Sequence, residues 1–121
     1  MKQIEQQHQI EWVQWFSLQY PTLAPLLHHS PNGGKRNARE AARFKAMGTR
    51  AGFPDLFLAV PSNGYHGLFL ELKTDKGRLT DNQKAYGEML SGQGYRVEVV
   101  RSFEEFKNII NEYLYKKGDF E

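Results

Sequence analysis

Two carboxylates and one ammonium group lie at the ends of the two most strand-like segments of this chain. Asp55 opens an apolar run in the stretch GFPDLFLAVPSNGYHGLFLELK, residues 52–73, and Glu71 and Lys73 close the next run. Charged side chains are rarely buried unless they are paired or coordinate a metal. The pattern therefore indicates a charged site at the end of a strand pair.

A hairpin turn at residues 61–64 would bring these charged groups together. Side chains two residues apart on a strand leave the same face, so Glu71 and Lys73 share one face and the alternating leucines share the other. The turn pairs Asp55 with about residues 70–72, which makes Asp55 and Glu71 neighbours. Two adjacent carboxylates repel each other, and one keeps a proton unless a cation lies between them.

A hard divalent cation fits this site, because Mg²⁺ prefers carboxylate oxygens, backbone carbonyls and water. The predicted ligands are Asp55, Glu71 and the backbone carbonyl of Leu72, with Mg²⁺ as the cofactor and Mn²⁺ as an alternative. Lys73 would orient or activate a nucleophilic water, or stabilise charge that develops on a phosphate. The alternative interpretation is an exposed Glu71–Lys73 ion pair on an edge strand, with Asp55 in ordinary turn chemistry.

Positive charge is concentrated in one segment, residues 35–50, KRNAREAARFKAMGTR. The segment has six basic residues and one acidic residue, Glu40. Its local charge is therefore +5, whereas the net charge of the chain is +2. The helical spacing of its arginines forms a stripe of one sign, which phosphate contact explains. The preceding glycines allow the backbone to approach a phosphate closely. The predicted DNA-binding residues are Asn32, Gly33, Lys35, Arg36, Arg39, Arg43 and Arg50, and the alternative is a solvated helix face.

Periodicity and chain breakers predict the elements that would position these residues. Thr80 and Ser102 are predicted N-caps, and Glu105 would complete a capping box with Ser102. The last strand should join its neighbour in parallel through a crossover helix, which gives an α/β fold with a small mixed sheet flanked by helices. Helices are predicted over residues 3–19, 36–47 and 80–91 and after Ser102, and strands over 55–60, 67–73 and 95–100, with an optional strand at 26–30.

Length and composition limit the class of protein. The 121 residues fit one domain, 1–121, and the absence of cysteine excludes disulfides and thiolate metal sites. No apolar run approaches the roughly 20 residues of a membrane span, and the N-terminus has no apolar signal region. We therefore expect a cytoplasmic protein with no membrane partner.

Longer motifs resemble a known nuclease family. Pro-Asp at 54–55 followed by Glu-x-Lys at 71–73 is the signature of the PD-(D/E)XK nucleases. The stretches PNGGKRNAREAARFKAMGTRAGFPDLFL, GLFLELKTDKGRLTDNQKAY and GYRVEVVRSFEE resemble the VRR-NUC (virus-type replication-repair nuclease) family over about residues 5–115. The resemblance is to the small stand-alone form common in phages and prophages. It implies a restriction-endonuclease-like core and a bacterial or phage-infected host cell.

The resemblance also assigns roles to single residues. It implies that Asp55 and Glu71 are metal ligands, that Lys73 is the catalytic lysine and that Gln83 faces the same site. The family usually carries a further glutamate on the first helix. Here that position falls on a glutamine, so the additional ligand is left open between Gln7 and Glu5, with Glu11 nearby.

The expected function is a metal-dependent DNA endonuclease. Stand-alone family members are similar to Holliday-junction resolvases, which implies branched DNA as the partner and a homodimer. The large aromatic residues of helix 3–19 are expected to contribute to the dimer interface, namely Trp12, Trp15, Phe16 and Tyr20. The alternatives are a non-catalytic nucleic-acid-binding module and a nuclease acting on flaps, nicks or duplex. A binding module gains nothing from carboxylates placed against phosphate.

Overall fold

The computed structural model describes residues 4, 6–31 and 37–115. Within that part of the chain, four strands form one mixed sheet in the order β1-β2-β3-β4. The first two pairs are antiparallel and the β3–β4 pair is parallel, which confirms both the optional strand and the parallel crossover. The strands are β1 (Leu27–His29), β2 (Leu56–Leu58), β3 (Leu68–Leu72) and β4 (Arg96–Val100).

The described residues also form four α-helices, and a short 3₁₀ turn, Ala24–Leu26, precedes β1. Side-chain caps begin three of them: Asn37, Thr80 and Ser102 each accept a hydrogen bond from the third residue of the helix that follows. The helices are α1 (Gln6–Gln19), α2 (Ala38–Ala46), α3 (Asp81–Gly92) and α4 (Phe103–Leu114).

The capping box predicted for Ser102 and Glu105 differs from the structure in its second hydrogen bond. The Glu105 backbone N–H donates to Ser102, as a capping box requires. The Glu105 carboxylate, however, accepts from the backbone N–H of Arg101 at 2.7 Å. The cap residue is therefore as predicted, but the returning hydrogen bond goes one residue further upstream.

The tip of the β2–β3 connection is a tight turn. Asn63 and Gly64 both have positive φ angles, 50° and 87°, and Ser62 and Tyr65 exchange backbone hydrogen bonds around them. Two successive left-handed residues give the type I′ geometry that matches the twist of paired strands. This turn fixes the hairpin register, in which Leu56 lies opposite Leu70.

The hydrophobic core lies on one face of the sheet, under α1 and α4. The leucines of β2 and β3 meet large side chains from both helices, and all of them are buried. Trp12 and Phe16 belong to this core, Trp15 packs against Phe103 and Phe106, and the Tyr20 hydroxyl donates to Asn111. The aromatic side chains of α1 and of Tyr20, which follows it, thus pack within the chain, which removes the reason for placing a dimer interface on them.

Helix α3 covers part of the opposite face. An aromatic cluster fills the space between this helix and the strands, with Phe53 in edge contact with both Phe69 and Tyr86. Phe57 stacks on Phe69 with ring centroids 4.3 Å apart. The charged residues Asp55, Glu71 and Lys73 lie on this second face, next to the aromatic cluster.

No helix of the described chain is long and apolar enough to cross a membrane.

Candidate active site

Strand β3 and the residue after it place two charged side chains in the interior. Glu71 and Lys73 are only 3% and 2% exposed. They share a face, as their spacing predicts, and the Lys73 Nζ lies 3.8 Å from Glu71 Oε2. This distance is an ion-pair contact without a short hydrogen bond. The interpretation as an exposed surface ion pair is therefore wrong.

Asp55 lies beside this pair because β2 and β3 are antiparallel. Its Oδ2 accepts a hydrogen bond of 2.7 Å from the backbone N–H of Leu72, which fixes the carboxylate at the end of the hairpin. The N–H and C=O groups of one extended residue point to the same side of a strand. The Leu72 carbonyl therefore faces the Asp55 side, where it was predicted to serve as a ligand.

The pKa of Glu71 is raised to about 8. Burial is the largest cause, because removal from water disfavours the charged carboxylate. The nearby charge of Asp55 and a hydrogen bond between the two carboxyl groups raise the pKa further, and the Lys73 charge lowers it. The two carboxylates are thus close enough for the charge of Asp55 to act on Glu71, as their predicted pairing requires.

Gln83 joins helix α3 to this cluster. Its Nε2 donates to Glu71 Oε2 at 3.0 Å, while its Oε1 accepts from the backbone N–H of Thr80 at 2.9 Å. The Thr80 hydroxyl in turn accepts from the Gln83 N–H, which completes a capping box. The capping box therefore fixes which end of the amide faces Glu71.

A glycine holds the segment before Asp55 against the same helix. Gly52 has a φ of +86°, and a Cβ built on it would lie 2.6 Å from the Asn82 Cβ and 2.9 Å from the Gln83 nitrogen. A larger residue would have to push the loop away from the start of α3. The close approach thus couples the position of Asp55 to that of Gln83.

The first helix contacts this region through a residue that sequence reasoning did not select. Gln9 Nε2 lies 3.1 Å from His29 Nδ1, which is 3.2 Å from the backbone oxygen of Asp55. Gln7 is exposed and its amide reaches Glu11 at 3.5 Å. Glu5 lies outside the described residues. The further ligand from this helix stays a prediction.

The described chain offers two clustered carboxylates and no larger acidic group. None of its residues form a set of three or more His, Asp or Glu side chains that could hold a metal ion. The pair of histidines at 28–29 does not share a site either, because His28 lies opposite Phe57 and His29 opposite Leu56 on alternate faces.

The predicted basic residues fall into two groups. Arg39 and Arg43 are exposed on α2, one helical turn apart, and Arg50 folds back so that its Nη1 donates to the Lys45 carbonyl at 3.0 Å. The other predicted phosphate contacts, Asn32, Gly33, Lys35 and Arg36, lie outside the described residues.

A second basic region, which sequence reasoning missed, follows β3 directly. The Arg101 guanidinium donates to the carbonyls of Thr74 and Gly77 at 2.8 and 2.6 Å, and so holds the loop that connects Lys73 to α3. Lys76 and Arg78 are exposed on this loop. Because Lys76 and Arg78 lie close to Lys73 in the sequence, they could have been selected from it. Arg101 lies more than twenty residues from this loop in the sequence, and no pattern indicated its contact with the loop.

A mixed sheet with helices on both faces and an Asp, Glu-x-Lys cluster at the end of a hairpin defines a restriction-endonuclease-like protein. The chain belongs to the VRR-NUC domain family, which it matches over residues 3–104. A solved structure described as a VRR_NUC domain protein is similar at 32% identity with a TM-score of 0.79, over 94% of this chain and 90% of that chain. No curated protein matches significantly. The chain is thereby placed in a family of nucleases.

Proposed function

We propose that this protein is a metal-dependent DNA endonuclease that hydrolyses phosphodiester bonds at the Asp55–Glu71–Lys73 cluster. The observation that carries the proposal is a buried carboxylate, Glu71, that lies beside a buried lysine and the half-buried carboxylate of Asp55 at the end of a hairpin. Burial of charge is unfavourable unless a partner compensates it. A functional requirement for these charges accounts for their presence in such a small domain.

The donor atoms fit a magnesium ion. Asp55 and Glu71 supply hard carboxylate oxygens, and the Leu72 carbonyl faces the same side of the strand. Mg²⁺ is commonly held by one or two carboxylates together with water and substrate phosphate, so a third carboxylate is not required. When bound, such an ion polarises a phosphoryl oxygen and lowers the pKa of a coordinated water. Mn²⁺ accepts the same ligands and is proposed as a substitute.

The remaining residues have distinct proposed tasks. Lys73 places positive charge 3.8 Å from Glu71, where it can stabilise negative charge that develops on the phosphate. Gln83 orients the Glu71 carboxylate and is a positioning residue. Arg39 and Arg43 on α2, and Lys76 and Arg78 after β3, are exposed for contact with the DNA backbone.

We further propose that the preferred substrate is branched DNA, in particular a four-way junction cut by a homodimer. Backbone contacts position a protein on DNA but do not read its sequence. The basic residues described here serve such contacts, which favours recognition of DNA shape. Two symmetric cuts require two active sites, and a two-fold dimer supplies them.

The alternative of a non-catalytic binding module is disfavoured by the same cluster. Carboxylates next to a phosphate path oppose DNA binding through repulsion, and they add nothing to affinity. A module that only bound DNA would do better with neutral residues at positions 55 and 71.

A cleavage assay tests both the proposed metal-dependent nuclease activity and the proposed preference for four-way junctions. Four-way junction, flap, nicked and duplex DNA of shared sequence are incubated with protein in Mg²⁺, in Mn²⁺ and in a chelator. We expect cleavage only with metal, strongest on the junction, and loss of cleavage in Lys73→Met. Lys107→Met is the matched control, because Lys107 pairs with Glu104 on α4 and lies away from the site.

The outcomes separate the nuclease activity from the junction-resolving role. Cleavage in the chelator, or wild-type cleavage by Lys73→Met, would contradict the proposed metal nuclease. Light scattering should give about twice the monomer mass of 14.0 kDa. A monomer that cuts duplex as readily as junctions would overturn the junction-resolving role and leave the nuclease role intact.

A further inference from the structure

We propose that a cavity between β1 and α2 binds one unstacked nucleobase of the DNA strand whose backbone reaches Asp55. This inference rests on the proposed function and adds a substrate feature to it. The cavity has a volume of about 330 Å³, within the size range of ligand pockets. None of the tasks assigned above uses its walls, apart from the phosphate contact predicted for Arg50.

The cavity lies next to the backbone of Asp55, on the β1 side. Ser30, on its wall, donates its backbone N–H to the carbonyl of Asp55 at 2.8 Å. His28, also on the wall, lies opposite Phe57 in the β1–β2 register. Because alternate residues share a face, His28 and Ser30 lie on the same face of the sheet as Asp55. The cavity therefore flanks Asp55 on the β1 side, and Glu71 flanks it on the β3 side.

Two aromatic rings contribute to the cavity wall, Phe44 from α2 and Phe53 from the segment before β2. Phe53 is held at nearly right angles to Phe69, with centroids 5.4 Å apart, and in edge contact with Tyr86 at 5.5 Å. A ring supported in this way does not need to be ordered when a ligand arrives. Every nucleobase has a flat face that stacks on such a ring, without regard to sequence.

Polar groups complete the wall and favour a base over an apolar ligand. His28, Ser30 and Thr49 bring hydrogen-bonding side chains to the cavity. Arg50 lies at the same wall, where its Nη1 donates to the carbonyls of Lys45 and Thr49 at 3.0 and 3.4 Å. None of the described residues that form the cavity is acidic. The site therefore suits the polar edge of a base and tolerates the phosphate attached to it.

Use of this cavity restricts the substrate. A base must leave its stack to enter, and the free-energy cost is least for a base that is already unpaired. Nucleotides at a branch point or in a single-stranded segment satisfy this condition, whereas interior duplex nucleotides do not. The cavity thus provides a physical reason for a preference for branched over continuous duplex DNA.

The test is a double-mutant cycle between the protein and the DNA. Binding is measured in the Glu71→Gln background with junctions that carry a single abasic nucleotide at each position near the cleavage site. Phe53→Leu keeps an apolar side chain but removes the stacking ring. We expect one abasic position and Phe53→Leu each to weaken binding by about 5- to 30-fold. Combined, they should weaken binding no more than either alone.

Phe57→Leu is the matched control. It removes a ring from the same aromatic cluster, stacked on Phe69, but it does not form the cavity wall. Its binding should keep the full dependence on the abasic position. Additive losses for Phe53→Leu, or the absence of any sensitive position, would overturn the inference.

A second variant keeps the test decisive if Phe53→Leu does not fold. Thr49→Trp would fill the cavity from its wall, and Leu18→Trp adds the same ring at an 84% exposed position of α1. Thr49→Trp should abolish the abasic effect and Leu18→Trp should retain it; equal behaviour of the two would count against the cavity. Failure of the wild type to cleave any DNA would overturn the proposed nuclease, whereas cleavage without base dependence overturns only this inference.

Discussion

On one face of strand β3, Leu68, Leu70 and Leu72 are at most 1% exposed and pack against α1 and α4. On the other face, Glu71 and the adjoining Lys73 are almost as deeply buried, at 3% and 2%. The two faces are therefore similarly buried but differ in chemistry at this end of the strand. Burial of a leucine stabilises the fold, whereas burial of a charge is unfavourable unless partners compensate it.

The compensation on the charged face comes from the surrounding structure. Glu71 is contacted by Lys73 and by the Gln83 amide, and Asp55 by the Leu72 backbone. Even so, the pKa of Glu71 is raised to about 8, which means that the fold without metal disfavours the charged form of this carboxylate. The comparison teaches that one face maintains the fold, while the other gives up stability for a charged site.

The largest expected effect is on catalysis. Asp55→Asn should reduce cleavage by about 1,000-fold or more, because loss of a proposed metal ligand would remove several kcal/mol of transition-state stabilisation. The fold should persist, since the substitution replaces a carboxylate by an amide of equal size. Single-turnover cleavage of junction DNA and thermal melting measure the two effects. Wild-type cleavage by this variant would remove Asp55 from the site.

The leucine face should respond in the opposite way. Leu70→Ala is expected to lower the free energy of unfolding by about 2–5 kcal/mol, because it leaves a cavity among fully buried side chains. Cleavage well below the melting temperature should stay close to the wild-type rate. Urea titration combined with a cleavage assay checks this. A variant of full stability and no activity would show that the two faces are not separable.

The pH dependence of stability should come from the charged face. The pKa of Glu71 is about 8 in the folded chain and near its ordinary value of 4.5 in the unfolded chain, so the folded state binds more protons between these values. Stability without metal should therefore fall as the pH rises from about 4.5 to about 8, by a few kcal/mol. Mg²⁺ should stabilise the protein more at pH 8 than at pH 5.

Glu71→Gln provides the control for this pH effect, because its side chain does not titrate. Thermal melting of both proteins across this pH range, in chelator and in Mg²⁺, gives the comparison. A wild type whose metal-free stability rises over the same range would contradict the role given to Glu71.

Substitution of Gln83 should have an intermediate effect on cleavage. Gln83→Ala removes the amide that orients Glu71 and is expected to reduce cleavage by about 10- to 100-fold, the range for residues that support metal ligands. Thr80→Ala removes the helix cap at about 1 kcal/mol of stability but leaves the Gln83 amide present. Metal titrations of cleavage distinguish the two variants. Equal losses would indicate that the helix start, and not the amide, positions Glu71.

The smallest effect is expected at the exposed arginines of α2. Arg39→Ala combined with Arg43→Ala should lower the salt slope of log affinity by about 2, near 0.9 for each phosphate that is no longer neutralised. The reduction in affinity should be the same for junction and duplex DNA. Lys107→Ala, on the opposite side of the sheet, should leave the slope unchanged. An unchanged slope in the arginine variant would place the DNA path elsewhere.

Most of the fold could be predicted from local patterns. The Asn63-Gly64 turn, the Thr80 and Ser102 caps and the alternation along β3 are each set by neighbours in sequence, and all of them agree with the structure. Element ends were less predictable: β2 is three residues long where six were predicted, although the Ala59 N–H beyond its end still donates to Leu26 on the β1 side.

Contacts between distant residues were not accessible from the sequence. The core position of the α1 aromatic residues depends on α4, and the cavity beside Asp55 depends on how α2 lies against β1. The Arg101 contacts with the loop after Lys73 join segments more than twenty residues apart. No periodicity or spacing reveals such contacts.

The sequence by itself determined that two carboxylates and a lysine would meet on one face of a hairpin, because strand alternation and turn geometry are local properties. Only the tertiary structure decided their depth of burial, the raised pKa of Glu71 and the amide of Gln83 that orients it. The physical reason is that desolvation and electrostatic interaction depend on every group packed around a charge. Those groups include Gln83, which comes from a helix that begins eight residues after Lys73.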